Sequence, residues 1–209
     1  MCLYTKKDIT AADEPVTCWK FVEVVEGITE ERITVTPYTF VRIPDAVLEG
    51  IEPFKADKSN GKPFKCDDDG EGHIASGYIH TFGVLDLYMF DHEAEFLAED
   101  VGKHDEYVGR GIAESIGCRE SPKVLAIQLW RCEIPAGTPY FEGEVEANNC
   151  KGYASDEIVF KEMILEISED IAGWEREDER RALYKEQCHK AHVHYDALLG
   201  KARFETGKQ

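Results

Sequence analysis

Three residues have types and spacing that could support chemistry: His80 in the segment GYIHTF, and Ser155 and Glu157 in YASDEI. An imidazole can donate to a ligand hydroxyl or act as a base near neutral pH. A serine and a carboxylate two positions apart on a strand point to the same face, so this pair could hold a ribose. We therefore take His80, Ser155 and Glu157 as the candidate catalytic residues.

Each candidate also has a structural interpretation. His80 shares a strand face with Tyr78 and Phe82, and it could be a core histidine bonded to a backbone carbonyl, since buried polar groups are normally hydrogen-bonded. Ser155 and Glu157 could mark the exposed end of a strand. Both interpretations stay open at the level of sequence.

Two segments resemble metal sites but lack the required spacing. In CHKAHVH, His192 and His194 would point in roughly opposite directions on a helix, whereas a structural zinc needs about four ligands. In DDDGEG the three aspartates of 67–69 are adjacent, whereas a calcium loop of the EF-hand type staggers its ligands. We expect no metal and no cofactor.

Apolar periodicity predicts the elements that would position these residues. Val16–Val25 and Val124–Trp130 are apolar on both faces, which is typical of interior strands. Spacings of three and four predict a helix over Asp91–Val101. The remaining predictions are a strand pair interrupted at Pro37, a strand at Gly77–Phe82, a loop over 55–72, a weaker helix at Glu106–Ile116, a turn at Pro135–Pro139, a short strand at Tyr140, a polar loop over 142–152, and a strand from Ile158 with a slip near Lys161.

The C-terminal segment differs from the rest of the chain. Residues 168–205 are highly charged and carry a narrow apolar stripe that includes Tyr184 and Leu198, which predicts a long helix. We predict an α+β fold with a mixed, mostly antiparallel sheet, flanking helices and this long C-terminal helix. The predicted organisation is a core domain at 1–167 and a helical extension at 168–209 that could form a homo-oligomer.

Composition limits the possible partners. The chain has 209 residues and a net charge of −18, with 42 acidic residues against 24 basic ones. Such a surface repels nucleic-acid phosphates and anionic lipid, so we expect no direct nucleic-acid or membrane binding. A basic protein partner fits this charge, and so does mimicry of nucleic acid; an acidic surface that only keeps the protein soluble is the simpler alternative.

Cysteine usage and the N-terminus indicate a compartment. The seven cysteines are scattered without a CxxC pair, which argues against a disulfide framework. The segment MCLYTKKDIT lacks the apolar stretch of a signal peptide. We expect reduced thiols and a cytoplasmic location.

A family resemblance rests on MCLYTKK, VTCWKF, GYIHTF, RCEIPAGTPYFEG and YASDEIVF. Together these motifs resemble an uncharacterised family of small proteins from gut bacteria and their phages, over residues 1–165. A second similarity, at the level of the fold, is to ADP-ribosyltransferase-like proteins. The order of parts along the chain is similar: a strand with His comes first, a helix follows, and Ser and Glu come later. That resemblance implies NAD as a cofactor and His80, Ser155 and Glu157 as its site.

Three hypotheses follow from the sequence. The first is a non-enzymatic acidic accessory protein, related to phages or mobile elements, that binds a protein partner such as a host factor. The second is an enzyme that uses NAD, as the ADP-ribosyltransferase resemblance implies. The third is a virion or assembly component that oligomerises through the C-terminal helix.

Overall fold

The computed structural model describes residues 3–5, 9–29, 31–58, 72–74, 77–85, 93–145, 150–172 and 176–190. Within these ranges the fold is α+β, with a mostly antiparallel sheet and several helices. The strands are β1 (Leu3–Thr5), β2 (Thr10–Ala11), β3 (Val16–Glu26), β4 (Arg32–Val35), β5 (Phe54–Lys55), β6 (Gly72–Ile74), β7 (Ile79–Phe82), β8 (Val124–Ile134), β9 (Pro139–Val145), β10 (Cys150–Ser155) and β11 (Glu157–Ser168). The helices are α1 (Asp45–Leu48), α2 (Glu95–Ala98), α3 (Arg110–Ile116), α4 (Glu169–Ala172) and α5 (Glu177–Lys190).

The chain divides into two compact units, each assembled from three segments. The first unit holds Met1–Lys20, Ile43–Val84 and Trp130–Glu162, and the second holds Phe21–Arg42, Leu85–Leu129 and Met163–Gln209. The strands β3, β8 and β11 contribute residues to both units. The predicted boundary between residues 167 and 168 therefore lies inside the second unit.

The first unit contains segments of the strands in the order β5-β11-β8-β3-β7-β10-β9-β1-β6. Its core includes Cys18, Phe82, Cys132 and Phe160, all at most 1% exposed. Burial explains why β3 and β8 are apolar on both faces, and it confirms the prediction that they are interior strands.

The second unit pairs β4 antiparallel with the end of β3, in the register Glu23 opposite Val35. The apolar positions Ala94, Leu97, Ala98 and Val101, predicted to share one helical face, are all buried. Of the predicted helix, residues 91 and 92 lie outside the described residues; from residue 93 onward, a π-type turn at 93–94 leads into regular α-helix at Glu95–Ala98, which ends before the predicted Val101. The helix predicted at Glu106–Ile116 begins later, at Arg110, after Gly109 in an extended conformation.

Two sequence predictions differ from the structure between residues 142 and 168. Most of the predicted polar loop over 142–152 belongs to β9 and β10, which pair antiparallel with Gly152 opposite Gly143. The strand β11 continues through Lys161 without ending there. The predicted slip appears instead as a change in burial phase, because Ile164 and Leu165 are both buried.

The C-terminal helix is described only in part. The segments α4 and α5 are helical, and Tyr184 of the predicted stripe is fully buried. Residues 191–209, which include Leu198, lie outside the described residues. In the part of the chain that is described, no helix has the length and the apolar character needed to cross a membrane.

Candidate functional site

The structure places His80 and Ser155 on neighbouring strands but on opposite faces of the sheet. In the antiparallel pair of β7 with β10, His80 lies opposite Ala154, and Ser155 lies opposite Ile79. Directly opposite residues share a face and successive residues alternate. The side chains of His80 and Ser155 therefore point away from each other.

Ser155 and Glu157 belong to different strands. Asp156 forms a bend between them, donates from its backbone N to the carbonyl of Pro139 at 3.2 Å, and accepts at its own carbonyl from the N of Ala56 at 2.8 Å. The expectation that Ser155 and Glu157 lie on one strand and share its face is therefore wrong. The chain leaves β10 and enters β11 at this point.

The hydrogen bonds of Ser155 and Glu157 are directed within the fold. Ser155 is fully buried, and its hydroxyl donates to the backbone carbonyl of Glu157 at 3.2 Å. The Glu157 carboxylate accepts from the hydroxyl of Thr138 at 3.3 Å. These contacts join the end of β10, the start of β11 and the turn before β9.

His80 is half-buried, and both of its ring nitrogens are shielded from solvent. Its backbone carbonyl accepts a hydrogen bond from the ammonium of Lys20 at 3.1 Å. A base that acts on a ligand must reach that ligand directly or through one water. The shielded ring nitrogens agree with a core position for His80, and the bond from its ring to a backbone carbonyl stays a prediction.

No group of three or more histidine, cysteine, aspartate or glutamate side chains has a metal-binding arrangement among the residues described. The aspartates of 67–69 and the histidines at 192 and 194 lie outside those residues. So do the side chains of Cys188 and His189.

A second cluster of polar and aromatic side chains lies in the second unit, around the segment Thr36–Val41. Tyr38 and Phe40 both adopt positive φ angles, 64° and 49°. Thr36 closes the turn: its backbone N donates to the carbonyl of Val41 at 2.9 Å, and its hydroxyl accepts from the N of Val41 at 3.0 Å. The sequence indicated only that Pro37 interrupts a strand here.

Tyr38, at the tip of this turn, contacts the region of α2. Its hydroxyl donates to the Glu93 carboxylate at 3.3 Å, and its ring centroid lies 6.3 Å from that of Phe96. Burial and the negative charge of Glu93 raise the pKa of the Tyr38 hydroxyl, so it stays protonated and remains a donor. We call Tyr38, Glu93, Phe96 and the nearby Asp100 the aromatic–acidic patch.

Glu23 is a buried carboxyl group in the same unit. It is 6% exposed, and one carboxyl oxygen, Oε2, is buried without a hydrogen-bond partner among the described residues. Burial, together with the charges of Asp105, Asp100 and Glu93, raises the pKa of Glu23 to about 8. The side chain is therefore mostly protonated at pH 7, as a carboxyl group in an apolar strand would be expected to be.

Sequence reasoning missed both features, although one had a visible signal. Glu23 is the only carboxylate within the apolar run VTCWKFVEVV, and a charged residue in an interior strand calls for a partner or a shifted pKa. The outward display of Tyr38 had no such signal, because it depends on positive φ angles that tyrosine seldom adopts.

Comparisons of this chain with protein-family models, curated proteins and solved structures found no match. The resemblances described from sequence motifs therefore stay predictions. Within the described residues, the aromatic–acidic patch combines solvent-exposed aromatic rings with carboxylates, and it is our candidate functional site.

Proposed function

We propose that this protein is a non-enzymatic accessory protein that binds a basic segment of a protein partner through its acidic surface. The observation that supports the proposal is the surplus of carboxylates. Acidic residues outnumber basic ones by 42 to 24, and lysines and arginines of both units already form internal ion pairs.

Each of these intramolecular pairs takes up one cation together with one carboxylate, so the pairs leave the surplus of negative charge unchanged. Arg32 pairs with Glu166 at 2.7 Å, Arg131 with Glu162 at 2.9 Å, and Lys161 with Glu133 at 3.0 Å. An excess of one sign attracts oppositely charged partners and accelerates their association at low salt. A partner with a lysine- and arginine-rich segment, such as a nucleic-acid-binding protein of a host cell, has the complementary charge.

The proposal places the protein in a reducing compartment such as the cytoplasm. Cys18, Cys118 and Cys132 are buried free thiols, and free thiols are typical of proteins kept in reducing surroundings. Burial raises the pKa of Cys18 to about 12, so this thiol behaves as a small apolar side chain. Such residues need no partner and serve the core.

The test is affinity capture followed by direct titration. The tagged protein is incubated with a lysate of a gut bacterium at 50 mM and at 500 mM NaCl, and the bound proteins are identified by mass spectrometry. We expect basic proteins to be enriched at 50 mM and mostly lost at 500 mM, because a Debye length of about 14 Å shrinks to about 4 Å over that range. An unrelated acidic protein of matched charge serves as the control.

Enrichment must then be reproduced with the purified partner in a direct binding measurement. If nothing basic is captured above the matched control at 50 mM NaCl, the proposed function is wrong.

We also infer that α5 continues beyond Lys190 as the long C-terminal helix that the apolar stripe predicts. The stripe repeats at steps of three and four from Tyr184 to Leu198. A chain truncated after Lys190 should lose helical circular dichroism equivalent to roughly ten or more residues. An unchanged molar helical signal would contradict this inference.

A further inference from the structure

The aromatic–acidic patch presents apolar rings to solvent at a position that the fold does not require to be apolar. The helix α2 buries Leu97 and Ala98 and leaves Phe96 outside, with 55% of its surface exposed. Tyr38 is 46% exposed beside it. Two neighbouring exposed aromatic rings are a common feature of protein-binding surfaces.

The position of Tyr38 is maintained at a cost in backbone energy. A residue with a side chain at φ 64° is disfavoured by roughly 1–2 kcal/mol relative to the right-handed region, and glycine or asparagine would avoid much of that cost. Several hydrogen bonds hold the turn around it. They include those of Thr36 with Val41, a contact between the hydroxyls of Thr36 and Thr39 at 2.6 Å, and the bond from the N of Phe40 to the carbonyl of Thr36 at 3.0 Å. Strained residues of this kind concentrate at binding sites.

Two carboxylates lie near the hydroxyl of Tyr38. Glu93 accepts the hydroxyl of Tyr38, and the negative charges of Glu93 and Asp100 both act on that hydroxyl. Asp100 is exposed and lies 4.0 Å from the Lys103 ammonium, a weak pair at the surface. A ligand that enters this patch meets ring faces together with negative charge.

Arginine fits both properties of the patch. Its planar guanidinium stacks on aromatic rings, is more weakly hydrated than an ammonium group, and can bond a carboxylate through two N–H groups at once. The rings of Tyr38 and Phe96 are tilted by 34° with centroids 6.3 Å apart, so they form an open pair of surfaces and not a closed stack. The exposed ring faces and the nearby negative charge are the two features of the patch that suit a guanidinium.

We propose that the aromatic–acidic patch is a docking site for an arginine side chain in a basic segment of a partner protein. The inference rests on the proposed function and specifies where and how the partner is recognised. Tyr38 and Phe96 supply the stacking surface, and Glu93 supplies the ion pair. Asp100 adds longer-range attraction.

The test measures binding of two labelled peptides by fluorescence anisotropy in 50 mM NaCl. One peptide carries three Arg-Gly repeats, and the other carries Lys-Gly repeats of equal length and charge. We expect the arginine peptide to bind more tightly. The variants Tyr38→Asn, Phe96→Gln and Glu93→Gln should each weaken its binding about fivefold and reduce the preference for arginine.

Matched controls separate the patch from general charge. Tyr107→Asn removes a tyrosine that is 90% exposed and that follows Asp105 and Glu106 in the chain, and Glu120→Gln removes one exposed carboxylate. Both should bind the peptide as the wild type does. Tyr38→Asn is chosen because asparagine tolerates positive φ, and thermal unfolding of each variant checks that it is folded.

The outcomes distinguish this proposal from the proposed function. Suppose that basic proteins are captured. If the patch variants then bind the arginine peptide like the wild type, or if the wild type does not bind this peptide, the docking site is wrong and the proposed function stands. If neither basic proteins nor the peptide bind at 50 mM NaCl, both are wrong. If the patch variants lose the preference for arginine and the control variants keep it, the result supports both the docking site and the proposed function.

Discussion

At the scale of single residues, the buried carboxyl group of Glu23 is the clearest departure from an ordinary apolar strand. Its pKa is about 8 in the folded protein, against 4.5 for an ordinary glutamate. Between those two pH values the folded protein keeps a proton that the unfolded chain has released. Raising the pH across this window therefore favours unfolding, and the effect levels off above about pH 8.

Glu23→Gln should remove this dependence, since glutamine stays neutral at every pH. We expect the variant and the wild type to have similar unfolding free energies near pH 4.5. The variant should gain on the wild type by up to about 1.4 kcal/mol per pH unit between there and pH 8. Urea unfolding at pH 5, 6.5 and 8 measures the difference, with Glu120→Gln as an exposed control. A difference that is constant with pH would contradict the shifted pKa of Glu23.

Gly143 shows how one residue can determine whether two strands come together. It lies on β9 opposite Gly152, and a Cβ at Gly143 would overlap the carbonyl oxygen of Tyr4 on β1. Gly143→Ala should therefore displace β1 and lower the free energy of unfolding by about 1–3 kcal/mol. Gly111→Ala is the control, because its Cβ would meet nothing within 4 Å and alanine favours the helix α3. Equal stabilities for the two variants would show that β1 does not approach β9 this closely.

At the scale of elements, sequence patterns predicted the strands that have buried apolar residues on both faces. They missed the strands that form only by pairing with distant segments of the chain. The strand β3 is buried on both faces over residues 20–25, and β8 has buried residues on each face over 124–129, so their apolar runs predict them directly. The strands β9 and β10 contain glutamates and glycines that favour a loop locally. They become strands because β1, β2 and β7 supply hydrogen-bond partners from far along the chain.

The candidate sites divide in the same way. Spacing correctly placed His80 on a strand, and the pairing of β7 with β10 then decided which face it occupies. Spacing did not predict that Ser155 and Glu157 belong to different strands, because the bend at Asp156 leaves no periodic pattern in the sequence. The aromatic–acidic patch joins residues 38 and 96, and only tertiary structure could bring them together.

Within the second unit, a buried ion pair joins α5 to a neighbouring helix. Arg180 is 2% exposed; its Nε donates to both oxygens of Glu95 at 3.0 and 3.1 Å, and its Nη1 donates to the carbonyl of Ile171 at 2.9 Å. Removing one member of such a pair leaves an uncompensated buried charge. The ion pair therefore links α5 to α2 and to α4.

Glu95→Gln and Arg180→Met should each lower the free energy of unfolding by about 3–5 kcal/mol. The double variant should be more stable than the sum of the two losses predicts, because neither charge is then left alone. Urea unfolding of the four proteins completes the cycle, and Glu177→Gln, which breaks the exposed pair with Arg181, is the control. Single losses below about 0.5 kcal/mol would mean that α5 is only loosely attached, as the predicted separate extension at 168–209 implies.

At the scale of the whole molecule, a net charge of −18 on 209 residues opposes folding through self-repulsion, whereas the internal ion pairs favour it. Salt screens both effects, with opposite results for stability: weaker repulsion stabilises the folded protein, whereas weaker ion pairs destabilise it. The ion pair of Arg110 with Glu114 is exposed at the surface, and such pairs contribute about 0.5 kcal/mol or less each. Repulsion among the surplus carboxylates should therefore dominate.

We accordingly expect the midpoint of thermal unfolding to rise when NaCl increases from 10 to 200 mM at pH 7. The same salt should weaken binding of a basic partner, so stability and binding should change in opposite directions. A neutral osmolyte at equal osmolality separates screening from solvent exclusion. A midpoint that falls with salt would mean that attractive pairs outweigh repulsion in the folded protein, and the expected dominance of repulsion among the surplus carboxylates would be wrong.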